Sequence, residues 1–304
     1  MLSESCKQVL FEAATFGLRA VRGTKLSRFA FLRSLWCRLV DFCRPRGMVL
    51  REIHGSSMYL DADDRGLGLA MLSGVFEPYE TDLFARCIRD SMTVVDVGAN
   101  IGYYSLLAAR RVGNRGRVFA VEPNPVTRQI LLQNVALNRY DNIIPINRCV
   151  SNRAGQARFH INRKSKGESS MLPPCETDPA DVVPVETVTL DDLLPDGTAD
   201  ILKIDIEGAE GLALMGASGI LRNGQPLIFM EFVPSLLSKM GTPPGDIIRM
   251  VRRHGYCVYL INEKGCALEP IGDDWAASAG NLFCAPLGKA ERLLAEESGG
   301  KARE

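Results

Sequence analysis

The chain has 304 residues, 46% of them hydrophobic and 24% charged, with 36 basic and 36 acidic side chains and so no formal net charge. This composition excludes a wholly disordered, collagenous or coiled-coil chain. Without a positive excess the chain is no nucleic-acid coat, and no nucleic-acid partner is expected.

The length suits one large domain or two ordinary ones, either burying a sizeable core. The nine cysteines, at 6, 37, 43, 87, 149, 175, 257, 266 and 284, form no C-x-x-C pair. Zinc ribbons and redox motifs need that close spacing. The plain reading is free thiols in a reducing compartment. No apolar run reaches the roughly 18 residues of a membrane span. Glu4, Lys7 and Glu12 interrupt the apolar stretch that a secretory signal requires. A cytoplasmic location is therefore expected.

Residues 1–46 form a basic arm, with nine basic residues against three acidic ones. Within it Phe29, Leu32, Trp36, Leu39 and Cys43 recur at steps of three and four, as on one helix face. Such a helix either docks on the main domain or makes peripheral contact with a membrane surface. Residues 47–91 lead into the core. Met48–Ile53 and Ser57–Leu60 flank Gly55 and predict a β-hairpin. Glu77-Pro78 opens a helix over Tyr79–Arg89.

From residue 92 to 288, apolar β-rich runs alternate with helical stretches. The predicted strands are Thr93–Val97, Arg117–Glu122, Ile143–Asn147, Ile201–Asp205, Leu227–Phe232, Cys257–Ile261 and Asn281–Ala285. The predicted helices include Tyr103–Arg111, Pro125–Leu137 and Asp246–His254. Alternation of this kind means an α/β domain whose largely parallel sheet is covered on both faces. Residues 289–304 are charged and read as a frayed tail.

Four segments carry chemistry. Val94-Val-Asp-Val-Gly-Ala-Asn-Ile-Gly102 runs a strand into Asp96, Gly98, Asn100 and Gly102 before a helix starts. In open α/β sheets, ligands bind outside the carboxyl ends of the strands. Glycines there admit close approach, and the helix start offers free N–H groups. The G-x-x-x-G spacing lacks the third glycine of a dinucleotide turn. Asp96 would repel a pyrophosphate and attract a sulfonium or ammonium group.

Glu122 ends the next strand, 20 positions after Gly102. A carboxylate there can accept both hydroxyls of a ribose. In Leu202-Lys-Ile-Asp-Ile-Glu207, the side chains of Lys203, Asp205 and Glu207 project to one side of an extended strand. Asp205 and Glu207 are open to cofactor contact, general-base work or metal ligation, or to a structural pair with Lys203. Glu231, in Phe229-Met-Glu-Phe232, is a further acid at the crevice edge.

These motifs closely resemble the FkbM family of S-adenosylmethionine-dependent methyltransferases. The likeness rests on Val94–Tyr104, on Phe119-Ala-Val-Glu-Pro-Asn-Pro125, on Leu202–Glu210 and on Phe229–Phe232. Gly74-Val-Phe-Glu-Pro-Tyr-Glu80 and Leu131-Leu-Gln-Asn-Val-Ala-Leu-Asn138 add to it. It covers roughly residues 48–286 and leaves out the arm. It implies a Rossmann-like class I methyltransferase fold: a seven-stranded, mostly parallel sheet with one antiparallel strand. It also implies methyl transfer from S-adenosyl-L-methionine, generally to oxygen, on sugars, glycolipids or polyketide-type natural products.

By position, Asp96, Gly98, Asn100 and Gly102 would line the methionine part of the cofactor. Glu122, with Pro123 and Asn124, would hold the ribose. Ser151 would lie on the adenine side, and Glu77 in the segment folding over the cofactor. Asp205 could touch the cofactor too.

Abstraction of a hydroxyl proton calls for a general base. The candidates are Asp205 and Glu207, with Glu231 or His160 in reserve. A resident metal is not expected, although the Asp205/Glu207 pair could accept a divalent ion. Arg163, Lys164 and Lys166 could meet an anionic acceptor. Two alternatives stand beside methyl transfer. One is a nicotinamide-dependent oxidoreductase, and the other is a non-catalytic scaffold on the same sheet. Zero net charge is thus a cancellation: the arm carries +6, and residues 47–288, with 23 basic and 29 acidic side chains, carry −6.

Overall fold

The computed structural model describes Leu10, Ala13 and residues 42–300, apart from 65–66, 75, 163–166, 168, 174–179, 195 and 273–278. The predicted arm helix therefore lies outside the described residues except for its last apolar member, Cys43, which is buried. The basic cluster Arg163, Lys164 and Lys166 lies outside them as well.

The chain enters through an antiparallel hairpin, β1 (Met48–Ile53) and β2 (Ser56–Asp61). Its two-residue turn places His54 (φ 51) and Gly55 (φ 77) in the left-handed region, the geometry that matches strand twist. Helices α1 (Leu67–Ser73) and α2 (Pro78–Cys87) follow. Pro78 opens α2 from the first turn, where a missing N–H costs nothing.

The main sheet then builds outward from its centre. Strands β3 (Thr93–Val97), β4 (Arg117–Val121) and β5 (Ile143–Ile146) run parallel toward one edge. Helix α3 (Tyr103–Val112) connects the first pair, and α4 (Pro125–Asn138) the second. Asn124 caps α4 by accepting from the Val126 amide at 3.0 Å. The next three strands lie apart from the main sheet. β6 (Cys149–Val150), β7 (Gly155–Asn162) and β8 (Ala180–Val188) form a separate three-stranded sheet. A short helix, α5 (Leu190–Leu193), leads back.

The chain then crosses to the other side of β3. Strands β9 (Ile201–Ile204) and β10 (Leu227–Phe232) extend the parallel set. Helices α6 (Glu210–Met215) and α7 (Ser218–Asn223) connect them, and α8 (Pro234–Lys239) and α9 (Pro244–Arg253) follow. Strand β13 (Gly280–Pro286) inserts antiparallel between β10 and β11 (Tyr256–Asn262), and β12 (Ala267–Pro270) pairs antiparallel on the outer edge of β11. Among the described residues the order is β12-β11-β13-β10-β9-β3-β4-β5.

The expected seven strands are all present, with β13 reversed among them, and β12 is an eighth. It is a short edge hairpin whose turn is held by Asn262, which accepts from the Lys264 and Gly265 amides at 3.0 and 2.8 Å. Its half-exposed sequence carries little hydrophobic periodicity. The frayed tail is also corrected. Leu287–Gly300 forms helix α10, because Ala290 is buried in the core and Lys289 Nζ donates to the Gln225 carbonyl at 2.7 Å.

Alternate residues along the sheet feed two cores. Val94 and Phe229 pack with Leu83, Phe84 and Leu106 of α2 and α3 on one face. Val95, Ile204 and Met230 pack with Leu214, Ile220 and Val251 on the other. The hairpin is welded on by two amides spaced one helical turn apart on α4. Asn134 accepts from the Tyr59 amide and donates to the Tyr59 carbonyl, and Asn138 does the same for Ser57. These side chains replace a missing strand along the β2 edge. Among the described residues, no helix is long and apolar enough to cross a membrane.

Candidate active site

Strand order reverses between β3 and β9, and a cavity of about 290 Å³ opens at their carboxyl ends. Gly98 makes the crevice possible. At φ 85, a Cβ there would fall 1.8 Å from the Asp205 carbonyl oxygen, so the exits of β3 and β9 touch backbone to backbone. The Gly98 and Ala99 amides both donate to the Val121 carbonyl, at 2.9 and 3.0 Å, which ties in β4.

Asp96 is buried at the end of β3 and accepts from the Ser105 hydroxyl at 2.5 Å. Burial pushes its carboxyl up to about 6, opposed by Ser105 and Lys203. Glu122 is gripped on both oxygens: the Asn100 amide donates at 2.7 Å and the Asn124 amide at 2.8 Å. Burial still raises it to about 7 against those bonds. Asn100, at φ 50, supplies its amide from the left-handed region, which Asn tolerates well.

Of the residues assigned to the cofactor from sequence, Glu77, Asp96, Gly98, Asn100, Glu122, Pro123 and Asp205 line this cavity. Gly102, Asn124 and Ser151 do not. A Cβ on Gly102 would fall 2.5 Å from Leu106 Cδ1 and 2.7 Å from Leu131 Cδ1, so this glycine serves the packing of α3 on α4. Asn124 stands behind Glu122 and caps α4. Ser151 follows β6 and opens on a separate depression, while Arg148, Cys149 and Val150 face the cavity in its place. His160 also faces that depression, its backbone paired with Ser170.

The Lys203–Glu207 segment needs one correction. Strand β9 ends at Ile204, and the chain turns through Glu207 (φ 53) and Gly208 (φ 104). Buried Glu210 folds that turn by accepting from the Ile206 and Gly208 amides, both at 3.1 Å. Lys203, Asp205 and Glu207 nevertheless line the same cavity, as does Glu231 from β10. Asp205, Glu207 and Glu231 offer oxygens within 4.8 Å of one another, a spacing that suits a shared proton or a shared cation. Burial raises the Asp205 carboxyl, with Lys203 opposing. Burial, then Asp205, Glu207 and Glu210, push Glu231 up to about 10.

Sequence reasoning missed the network beneath these acids. Glu80 from α2 is fully buried, and Lys203 Nζ lies 3.0 Å from its Oε1 and 3.6 Å from Asp205 Oδ2. Glu77, at φ 37, accepts from Tyr104 Oη at 2.6 Å and from Asn281 Nδ2 at 2.9 Å. Asn281 also donates to Glu80. Glu263, from the β11–β12 hairpin, accepts from the Tyr79 and Glu80 amides at 3.0 and 2.8 Å, completing the start of α2. In sequence Glu80 stands out only as the end of the Gly74–Glu80 motif and as an acid in the first helical turn, which reads as ordinary dipole chemistry.

Gly167, Ser169 and Met171 line the cavity from the segment after β7, and Asn124 Nδ2 donates to Ser169 Oγ at 3.3 Å.

The sequence model described as the Methyltransferase FkbM domain matches residues 96–258. Methyltransferase sdnD of Sordaria araneosa is 31% identical over 154 residues, covering 40% of this chain and 59% of the relative. The chain thus spans less than two thirds of that curated relative's length. Among solved structures, the methyltransferase FkbM from Methylobacillus flagellatus KT is 18% identical, with 71% of this chain and 53% of that one covered and a TM-score of 0.40. TYW2 of M. jannaschii, in complex with AdoMet, is 16% identical, with 79% and 85% covered and a TM-score of 0.44.

Proposed function

The chain belongs to the FkbM methyltransferase family and takes S-adenosylmethionine as its methyl donor; from that premise we propose that the methyl group goes to a hydroxyl oxygen of a saccharide, a glycolipid or a related natural product. The nicotinamide alternative falls with the family assignment.

The crevice suits the donor. A wall of Glu77, Asp96 and Asp205 attracts a cationic sulfonium and repels a pyrophosphate. The missing Cβ at Gly98 lets the exits of β3 and β9 meet at the crevice. Asp96, Gly98, Asn100 and Glu77 would hold the methionine part, Glu122 with Pro123 the ribose, and Cys149 and Val150 the adenine side. Gly102 and Asn124 would support them from behind. S-adenosylmethionine supplies an electrophilic methyl carbon on a positively charged sulfur. The chain's own residues must orient the acceptor, exclude water and take a proton. Orientation contributes on the order of 7–11 kcal/mol at best.

The observation that carries the oxygen-acceptor reading is the carboxylate cluster of Asp205, Glu207 and Glu231 at the strand ends. Glu231, at about 10, holds a proton at neutral pH and can donate a hydrogen bond. Asp205 lies 3.6 Å from Lys203 and serves as the base. Positional assistance of this kind adds about 100- to 10,000-fold. The −6 charge of residues 47–288 disfavours a nucleic-acid acceptor.

The basic arm is assigned to peripheral contact with an anionic membrane in the cytoplasm. Its nine basic residues against three acidic ones, and the exposed Phe42, Met48 and Leu50 where it joins the hairpin, support that role. Incubating the protein with methyl-labelled S-adenosylmethionine and fractions of a cell extract tests the acceptor class. Label in an alkali-stable ether of a carbohydrate or lipid fraction is expected. Label confined to RNA or protein would overturn the assignment.

A further inference from the structure

Lys203 sits on the sheet between Asp96 of β3 and Phe229 of β10, both its cross-strand neighbours. It is 1% exposed, and a buried ammonium needs compensation on every side. Glu80 supplies one side at 3.0 Å and the Tyr104 ring face another, with its centroid 4.9 Å from Nζ. A pair made only to pin α2 on the sheet would be complete at that point. Yet Nζ also lies 3.6 Å from Asp205, whose carboxyl opens into the cavity.

The far end is anchored equally well. The same Asn281 amide nitrogen bonds Glu80 and Glu77, and Glu77 also takes the Tyr104 hydroxyl. The charged and titratable groups facing Lys203 are therefore Glu77 just before α2, Glu80 within it, Asp96 from β3, Tyr104 from α3 and Asp205 beyond its own strand, with Glu231 on β10 beside them. Among the described residues lining the cavity, Lys203 is the buried cation in a field of carboxylates.

We propose that Lys203, held by Glu80, is the positioning residue of methyl transfer: it draws Asp205 into the crevice and makes Asp205, rather than Glu231, the charged carboxylate that receives the acceptor's proton. This rests on the hydroxyl-methylation reading above. Burial alone would lower the Lys203 ammonium, but Glu80, Glu77 and Asp205 together hold it well above its ordinary range, so its charge persists whenever Asp205 titrates. The acceptor oxygen bonds the methyl carbon as the carbon–sulfur bond breaks and its electron pair stays on sulfur, leaving a neutral thioether; the hydroxyl proton ends on Asp205, and Lys203 itself exchanges no proton.

Lys203→Met alone strands Glu80 without its cation and endangers the fold. The informative protein is Lys203→Met combined with Glu80→Gln, which removes both charges and keeps the Asn281 contact. The measurement is a 13C titration of the Asp205 carboxyl in ligand-free protein, its signal assigned by loss in Asp205→Asn. Thermal unfolding and S-adenosylmethionine calorimetry run beside it. We expect a folded double variant in which Asp205 titrates at least one pH unit higher than in the wild type. Lys203→Arg should restore the wild-type value. A folded double variant with an unmoved Asp205 titration overturns the proposal and leaves the pair a structural tie. If the double variant unfolds, Lys203→Gln combined with Glu80→Gln, which can keep a hydrogen bond between the two side chains, decides: an Asp205 titration at least one pH unit higher sustains the proposal, and an unmoved one overturns it. Failure of the wild type to bind S-adenosylmethionine would instead defeat the methyl-transfer reading, since the titration is made without ligand.

Discussion

Two groups of acids share one crevice, and they are held in opposite ways. On the β3–β4 side, Asp96 and Glu122 are fixed by donors of the fold: the Ser105 hydroxyl and the Asn100 and Asn124 amides. On the β9–β10 side, Asp205, Glu207 and Glu231 crowd within 4.8 Å, with Lys203 beside the first of them. Fixed donors make a carboxylate a rigid acceptor, suited to holding a ligand. Crowding makes protons shared and movable, suited to reaction. On the proposed reading, the crevice is divided into a half that grips and a half that exchanges protons.

Changes on the two halves should therefore differ in kind as well as size. The largest effect is expected at their junction. Gly98→Ala places a methyl group on the Asp205 carbonyl and forces φ 85 on an L side chain. Strain of about 1–3 kcal/mol should lower the melting temperature, and S-adenosylmethionine binding should fall at least roughly 100-fold (about 2.7 kcal/mol). Wild-type affinity in calorimetry would refute the close-approach account.

Next comes Asp205→Asn. Transfer of label into the acceptor fraction should fall at least about 100-fold, a loss larger than any loss of cofactor affinity. An unchanged rate would move the base to another group.

A pH effect follows from the gripping half. The Asp96 and Glu122 carboxyls are raised by burial, to about 6 and 7, from ordinary values of 3.8 and 4.5. A folded-state pKa above the unfolded one gives stability present below the unfolded value and lost as pH rises through the folded one. The ligand-free protein should therefore melt at lower temperature at pH 8 than at pH 5, and Glu122→Gln should flatten that slope. A melting temperature that rises over the same range contradicts it.

The smallest effect is expected at Glu231→Gln. Glutamine resembles the protonated acid that this residue is at neutral pH, so the rate of label transfer should move less than about threefold, a change under 1 kcal/mol. A loss as large as that of Asp205→Asn would show that Glu231 works as a charged base.

The gripping half was largely legible in the residues. Strand–Asp96–Gly98–Asn100–Gly102–helix is contiguous, and Glu122 follows at the end of the neighbouring strand. Local spacing carries such a site. Gly102 and Asn124 were read as ligand contacts because spacing cannot tell a glycine that faces a cavity from one that admits Leu106 and Leu131. The reacting half was legible only in part. Glu80, Asn281 and Glu263 meet across about 200 residues of sequence, and no local pattern announces such a meeting. The β6–β7–β8 sheet escaped notice for a different reason. Only Phe159, Ile161 and Cys149 form its small core, so much of β7 and β8 stays exposed and lacks a clear apolar run.

The central claim is that a buried acid at the end of β3 makes this crevice a site for a cationic methyl donor. Titration calorimetry of S-adenosylmethionine into the wild type and into Asp96→Ala tests it most directly, with thermal unfolding to confirm the fold. The account predicts one site per chain in the wild type and a loss of at least roughly 100-fold in the variant, equivalent to about 2.7 kcal/mol. Equal affinity in a folded variant would contradict it.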